Sequence, residues 1–273
     1  MFHVQKTRSQ RSAAYAMAAV IYHATVRSVR QTHRNALIGL FLNMLQTMTL
    51  VAVFYIMFGV LGLRGSTIRG DFLLYIMSGI FLFITHTKSM AAVVGSEGPA
   101  APMMQHGPMS TFVAISAAAL GALYMQVLSA VFVLFIYHLA FNPVHIEDPI
   151  STMGMLILSW FSGVAVGMVF LSLKPWYPQF VSVASTIYAR ANMIASGKMF
   201  LANTLPFTML KLFDWNPLFH TIDQARGFTF INYNPHYSSV IYPLIVSLVL
   251  LMLGFMGESY TRKHASISWS AGR

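Results

Sequence analysis

Five apolar runs, each long enough to cross a bilayer, dominate this sequence: residues 36–62, 72–94, 112–141, 150–173 and 239–256. A hydrocarbon core needs about 20 apolar residues per helix. Within it the backbone must satisfy its own hydrogen bonds, so runs of this length are restricted to helices. A sixth, weaker run covers residues 178–201 and holds Arg190, Asn192 and Lys198, which blurs its limits. Only 9% of the residues are charged and the mean hydropathy is +0.64, against roughly 25% charged residues in ordinary soluble domains. The expected fold class is an all-α integral membrane protein with six transmembrane helices. No repeat, low-complexity tract or long linker divides it, so residues 1–273 read as a single membrane domain.

Lysine and arginine outnumber aspartate and glutamate by 17 to 7, and six of the cations precede residue 35. That clustering suits contact with anionic lipid headgroups and excludes a nucleic-acid-binding face, which needs cations spread along it. Six spans place both termini on one side. This side holds those six cations, Lys88, Lys174 and three near the C-terminus, eleven in all, while the other holds Arg64, Arg69, Lys211 and Arg226, four. By the positive-inside rule both termini are cytoplasmic. A cleavable signal peptide is not expected, because the first long apolar run lies too far in and lacks a small-residue cleavage pattern.

Ahead of the first span, Tyr15, Ala19, Tyr22, Val26 and Val29 recur at helical spacing, with His23, Arg27, Arg30 and Arg34 on an adjacent stripe. The pattern predicts an amphipathic interface helix over residues 12–34; a basic tail that only sets topology is the alternative. Residues 96–110 contain Pro99, Pro102, Gly107 and Pro108 around Met103, Met104, Gln105 and His106. They form a turn-rich cytoplasmic connection, able to dock a soluble partner or simply to join two helices.

Several chemistries are missing. Gly197-Lys198 is followed by Met199 and has no upstream glycine at the spacing of a phosphate-cradling loop, so this chain is not expected to hydrolyse ATP, nor to be an enzyme. With no cysteine, no H-E-x-x-H and no histidines paired four apart, no metal site is expected. None of the seven carboxylates lies mid-span, which disfavours a proton- or sodium-coupled carrier. No Gly-x-Ser-x-Gly elbow is present either.

Function concentrates in residues 190–226. Arg190 and Lys198 are cations within a span, and such groups tend to face protein, water or a substrate. Beyond them, Phe207, Met209, Leu210, Leu212, Phe213, Trp215, Leu218 and Phe219 interleave with Lys211, Asp214, Asn216 and His220. This mixture predicts short re-entrant helices over residues 206–236, at the outer interface. Asn216-Pro217 is a turn signal that opens a helix carrying Leu218, Ile222 and Ala225 on one side.

The ordered set Arg190, Ser196-Gly197, Phe200, Leu205-Pro206, Asn216-Pro217-Leu218, His220, Asp223 and Arg226 resembles the membrane permeases of type-2 ABC exporters, in the branch that exports capsular polysaccharide and related lipid-linked glycans. The likeness extends more loosely over the chain, with a basic amphipathic N-terminal helix, Gly39 early in the first span, six spans and a short C-terminal tail. Tyr22-His23 stands where the family's basic segment usually has an Arg-Glu pair, residues 96–110 carry less charge than usual, and Asp223-Gln224 replaces the usual glutamate.

The resemblance implies a homodimer in the bacterial inner membrane, joined to two copies of a separate ATP-binding subunit that supplies ATP and Mg chemistry; this chain itself holds no cofactor. Arg27, Arg30, Met103, Met104, Gln105 and His106 would couple to that subunit. The cargo would be a lipid-linked acidic polysaccharide leaving the cytoplasm, with periplasmic export components and membrane lipids as further partners. Arg190 and Lys198, eight residues apart and within about a quarter turn on a continuous helix, are the candidate cargo contacts. Two plainer readings stand beside this: Lys198 snorkelling to the outer interface, and Arg190 pairing with a carbonyl or headgroup to fix its helix. Asn216, Pro217, His220, Asp223 and Arg226 form the outer motif, in which Asp223 can bridge His220 or Arg226. Phe54, Tyr55, Phe58, Tyr75, Phe81, Phe83, Tyr177 and Tyr188 are candidate sugar-stacking rings. The rival reading is an integral-membrane enzyme or ATP-independent carrier acting on lipid-linked sugars.

Overall fold

The structure is a computed structural model that describes residues 10–32, 36–60, 71–98 and 110–264, all of them helix, turn or connection without a strand. In chain order the helices are α1 (Gln10–Thr32), α2 (Ala36–Val60), α3 (Phe72–Gly95), α4 (Thr111–Ala140), α5 (Pro149–Leu173), α6 (Pro178–Ala195), α7 (Phe207–Phe213), α8 (Pro217–Thr229) and α9 (Ile241–His264), with a 3-10 turn at Ala202–Thr204. Five of them, α2, α3, α4, α5 and α9, are long and apolar enough to cross a membrane. The limits of α2, α3, α4 and α5 follow their apolar runs closely, whereas α9 continues past the run expected at 239–256 to His264. The weaker run expected at 178–201 is shorter in the fold, since α6 ends at Ala195.

Polar residues set the helix starts. Asp71 accepts from the Leu73 N–H, Ser110 from the Val113 N–H and Asp148 from the Ser151 N–H, each satisfying an N–H that the first helical turn leaves open. Pro149, Pro178 and Pro217 open their helices where a missing N–H costs nothing.

The core is built on α3 and α5. A Cβ at Gly163 would collide with the His86 carbonyl oxygen, and one at Gly167 would lie 2.9 Å from that of Met90, so glycine at this four-residue spacing lets the two backbones meet. Ser159 and Ser162 lie on α5 beside this contact, and the Ser159 hydroxyl donates to the Leu82 carbonyl at 2.7 Å. On the opposite side of α5, Gly254 of α9 packs where a Cβ would be 2.6 Å from that of Met168. Apolar burial does the rest: Ile76, Met77, Ile80, Leu82, Leu156 and Leu158 join one cluster with Leu218 and Ile222 of α8.

Helix α6 is different. Of its residues only Val181 and Asn192 are buried, and Phe180, Val183, Ile187 and Ile194 stand exposed along it. At 18 residues it is about 27 Å long, close to the thickness of a hydrocarbon core.

Candidate functional site

Two neighbouring sites emerge around α6: a largely apolar groove along its side that carries a stripe of hydroxyls and a cation, and a buried anchor beyond its end. The anchor starts where the helix stops. Ser196 caps α6, and Gly197 turns the chain with φ of +73°, in the left-handed region that favours glycine. Phe219 fills the space beside it, so an added Cβ would lie 2.5 Å from that ring. Lys198 therefore leaves on a new path, and Arg190 and Lys198 do not share one helix face as continuous helix geometry would require.

Nor does Lys198 snorkel. The residue is 3% exposed, its Nζ makes no hydrogen bond, and the ammonium lies 3.6 Å from the Phe83 ring centroid and 4.7 Å from that of Phe54. Aromatic faces offer electrostatic attraction to a cation but no acceptor. Arg190 behaves oppositely: exposed, it has no hydrogen-bond or ion-pair partner among the described residues.

Arg226 holds the anchor together. It is fully buried, donating from Nη1 to the carbonyls of Gly197 at 2.9 Å and Phe200 at 2.8 Å, and from Nη2 to that of Lys198 at 2.6 Å. Its guanidinium also stacks 4.2 Å over the Tyr75 ring. Gly79, the eighth residue of α3, makes room: a Cβ there would be 2.8 Å from Nη2. The insert thus dips about 10 Å along α3 from that helix's N-terminal end.

The expectation that Asp223 bridges His220 or Arg226 is corrected. Asp223 instead accepts from the Tyr233 hydroxyl at 2.5 Å, the Ser238 hydroxyl at 2.7 Å and the Ala202 N–H at 3.4 Å. Spacing along α8 placed the three side chains close, but Arg226 is occupied by carbonyls and His220 by its own partners. His220 Nδ1 accepts from the Ser239 N–H at 3.1 Å, which leaves Nε2–H to donate to the Asp214 carbonyl at 2.7 Å. Asn216 caps α8 through the Leu218 N–H and donates to Asn192 Oδ1 at 2.8 Å and the Ala195 carbonyl at 3.0 Å, so the start of α8 is tied to the end of α6. Pro217 is buried as the first residue of that helix. Leu218, Ile222 and Ala225 are all buried, as their spacing predicted.

The groove lies between α3 and α6 and has a volume of about 590 Å³. Ser182, Ser185, Thr186 and Arg190 face it from α6, with Thr87 and Phe83 from α3. Their spacing of three, four and eight residues is one helix face. The Thr186 hydroxyl donates to the Ser182 carbonyl and that of Thr87 to the Phe83 carbonyl, leaving oxygen lone pairs able to accept from a guest. Among the candidate rings only Phe83 lines this groove. Phe54, Phe58 and Phe81 are buried in the core, Tyr75 underlies Arg226, and Tyr177 is exposed.

Sequence reasoning missed the polar link behind the groove. His86 is fully buried, with Nδ1 2.8 Å from Ser162 Oγ and Nε2 3.0 Å from the Tyr188 hydroxyl. Since the Ser162 hydroxyl donates to the Ser159 carbonyl, Nδ1–H donates to Ser162 and Tyr188 donates to Nε2. A histidine within an apolar run, opposite a span rich in serine and glycine, was the available signal.

On α1, Arg27 and Arg30 are exposed, and the helix meets α4 where Val29 packs against Gly121. Met103, Met104, Gln105 and His106 lie outside the described residues. No group of three or more His, Asp or Glu side chains among the described residues is placed to hold a metal.

No family model and no curated protein matches this chain.

Proposed function

We propose that this chain is the membrane-spanning permease subunit of an ATP-driven exporter, a homodimer served by two copies of an ATP-binding subunit. Its cargo is a lipid-linked acidic polysaccharide, moved out of the cytoplasm across a bacterial inner membrane. In this reading α6 is the fifth of six spans and α9 the sixth, α1 lies in the cytoplasmic interface with both termini on that side, and α7 and α8 form the outer insert between α6 and α9.

One observation supports it above the others: the α3–α6 groove. A helix that is mostly exposed, yet carries a stripe of hydroxyls and a cation on one face, is built to border something polar within the membrane. Hydroxyls exchange hydrogen bonds readily with sugar hydroxyls, and Arg190 attracts carboxylate or phosphate groups along a glycan. Two copies meeting across α6 would enclose a path between two such faces. Lys198 now enters only as a reserve cation, parked behind Phe83.

The chain has no cysteine, so the groove can be probed directly. Ser185→Cys, placed in the assembled exporter, should react with a membrane-impermeant maleimide and be protected by bound glycan. Val183→Cys, on the exposed apolar side of α6, should stay unreactive in the bilayer. Equal labelling of the two positions would refute a polar path along this helix.

A further inference from the structure

A second cavity, of about 390 Å³ and lined by apolar side chains with a cluster of polar ones, lies beside α3 among α1, α2 and α4. Ala91 borders both it and the α6 groove. Its polar lining comprises Ser28 of α1, Asn43 and Gln46 of α2, Lys88 of α3 and Gln126 of α4. These side chains are prearranged. Lys88 Nζ donates to Gln46 Oε1 at 2.7 Å, Gln126 Nε2 donates to Asn43 Oδ1 at 3.2 Å, and Asn43 Nδ2 donates to Ser129 Oγ at 2.7 Å.

Lys88 is the one charged residue in this lining. An ammonium has three N–H donors, and among the described residues Lys88 spends one, on Gln46. Because Gln46 accepts with its oxygen, its amide N–H groups remain as donors beside the ammonium. Seven residues separate Lys88 from the C-terminal end of α3 at Gly95, about 10 Å along the helix. That depth is near the boundary between headgroups and acyl chains. A lone cation there is costly unless an anion or water joins it. The rim is open, since Leu42, Gln46 and Ala91 are exposed.

We infer that this cavity binds one phosphoryl headgroup of a membrane lipid, drawn in from the leaflet at the α1 end of the bundle, with Lys88 and Gln46 donating to its oxygens. A phosphate carried on a lipid already resides at this depth, whereas a soluble anion would have to leave water to reach it. The volume accommodates a phosphodiester with part of its glycerol and leaves the acyl chains outside. Nothing in this inference requires the chain to be an exporter; it needs only the membrane-spanning helices.

The test is native mass spectrometry of the delipidated full chain in detergent, titrated with dioleoyl-phosphatidylglycerol, with neutral dioleoylglycerol, and with inorganic phosphate as competitor. The wild type should retain one phosphatidylglycerol per chain, should not retain dioleoylglycerol, and should not lose the lipid to millimolar phosphate. Lys88→Met should weaken retention about tenfold or more, as expected for losing a charge-assisted donor in a low-dielectric setting. Ala122→Leu, which fills the cavity and keeps Lys88, should weaken it comparably; this variant decides the matter if Lys88→Met does not fold. Lys211→Met on α7, away from the cavity, should bind as the wild type does. Undiminished binding in both cavity variants, or equal retention of dioleoylglycerol, would overturn the site, and displacement by phosphate alone would overturn its assignment to a lipid.

Discussion

Arg226 reaches from α8 to the carbonyl of Lys198, 2.6 Å from Nη2, and so fixes the backbone of a lysine whose own ammonium has no hydrogen-bonding partner. The two cations are thus treated in opposite ways. Arg226 spends Nη1 and Nη2 on three carbonyls and leaves only Nε without a partner, while Lys198 is held against two rings.

Replacing Arg226 tests the anchor. Arg226→Lys loses the planar fork whose Nη1 and Nη2 reach three carbonyls from two separate atoms, and it leaves a buried charge poorly satisfied. A loss on the order of 3 kcal/mol is expected from charged hydrogen bonds and unpaired carbonyls. Thermal unfolding in detergent, followed by tryptophan fluorescence, should show a clear drop in midpoint.

Lys198→Met should have the reverse sign. Burying an unpaired ammonium is expensive, and an apolar side chain of similar length removes that expense. The unfolding midpoint should stay level or rise. A marked fall would mean that the contact with Phe54 and Phe83 outweighs the burial.

Gly163→Ala should be among the most damaging small changes in the membrane core, because its methyl meets the His86 carbonyl rather than a flexible side chain. Overpacking of this kind costs about 1–3 kcal/mol. Gly154→Ala on the same helix, with open space at its Cβ, is the matched control and should unfold at the wild-type temperature.

Arg190→Ala should lower export of an acidic glycan without changing protein abundance, since the residue is exposed and partnerless among the described residues. Arg190→Lys should restore part of the activity, because the charge is kept and the fork is lost. Quantitative export from cells, with membrane abundance measured in parallel, separates the two. Normal export in Arg190→Ala would return Arg190 to a helix-positioning role.

Asp71 predicts a pH effect. Burial would push its carboxyl up, but hydrogen bonds from the Tyr137 hydroxyl, Asn142 and the Leu73 N–H outweigh this and hold it below the ordinary value of 3.8. A carboxylate whose folded value is depressed gives stability that is present above 3.8 and is lost as pH falls through the folded value. Asp71→Asn should therefore flatten the acid limb of a stability-against-pH curve measured below about pH 4.

Much of the architecture was legible because lipid leaves the backbone few choices. Four of the five strong apolar runs became helices at nearly the expected limits, the last running on to His264, and Asn216-Pro217 opened a helix whose Leu218, Ile222 and Ala225 are buried. The fate of Lys198 was not legible. Helical spacing assumes an unbroken helix, and one left-handed glycine at 197 cancels that assumption. Asp223 was misread for a related reason: sequence spacing says which side chains are near, not which distant hydroxyls compete for them. His86 and Lys88 depended on partners 102 and 42 residues away. Only packing brings those together.

The central claim is that this chain passes cargo under power supplied by a separate subunit. Affinity purification of the chain from its native membrane, followed by reconstitution into vesicles, tests it most directly. The account predicts that an ATP-hydrolysing subunit copurifies in equal number and that lipid-linked acidic glycan crosses the vesicle membrane only when ATP is hydrolysed. Recovery of the chain without any ATPase, with full activity toward lipid-linked sugars in its absence, would contradict it.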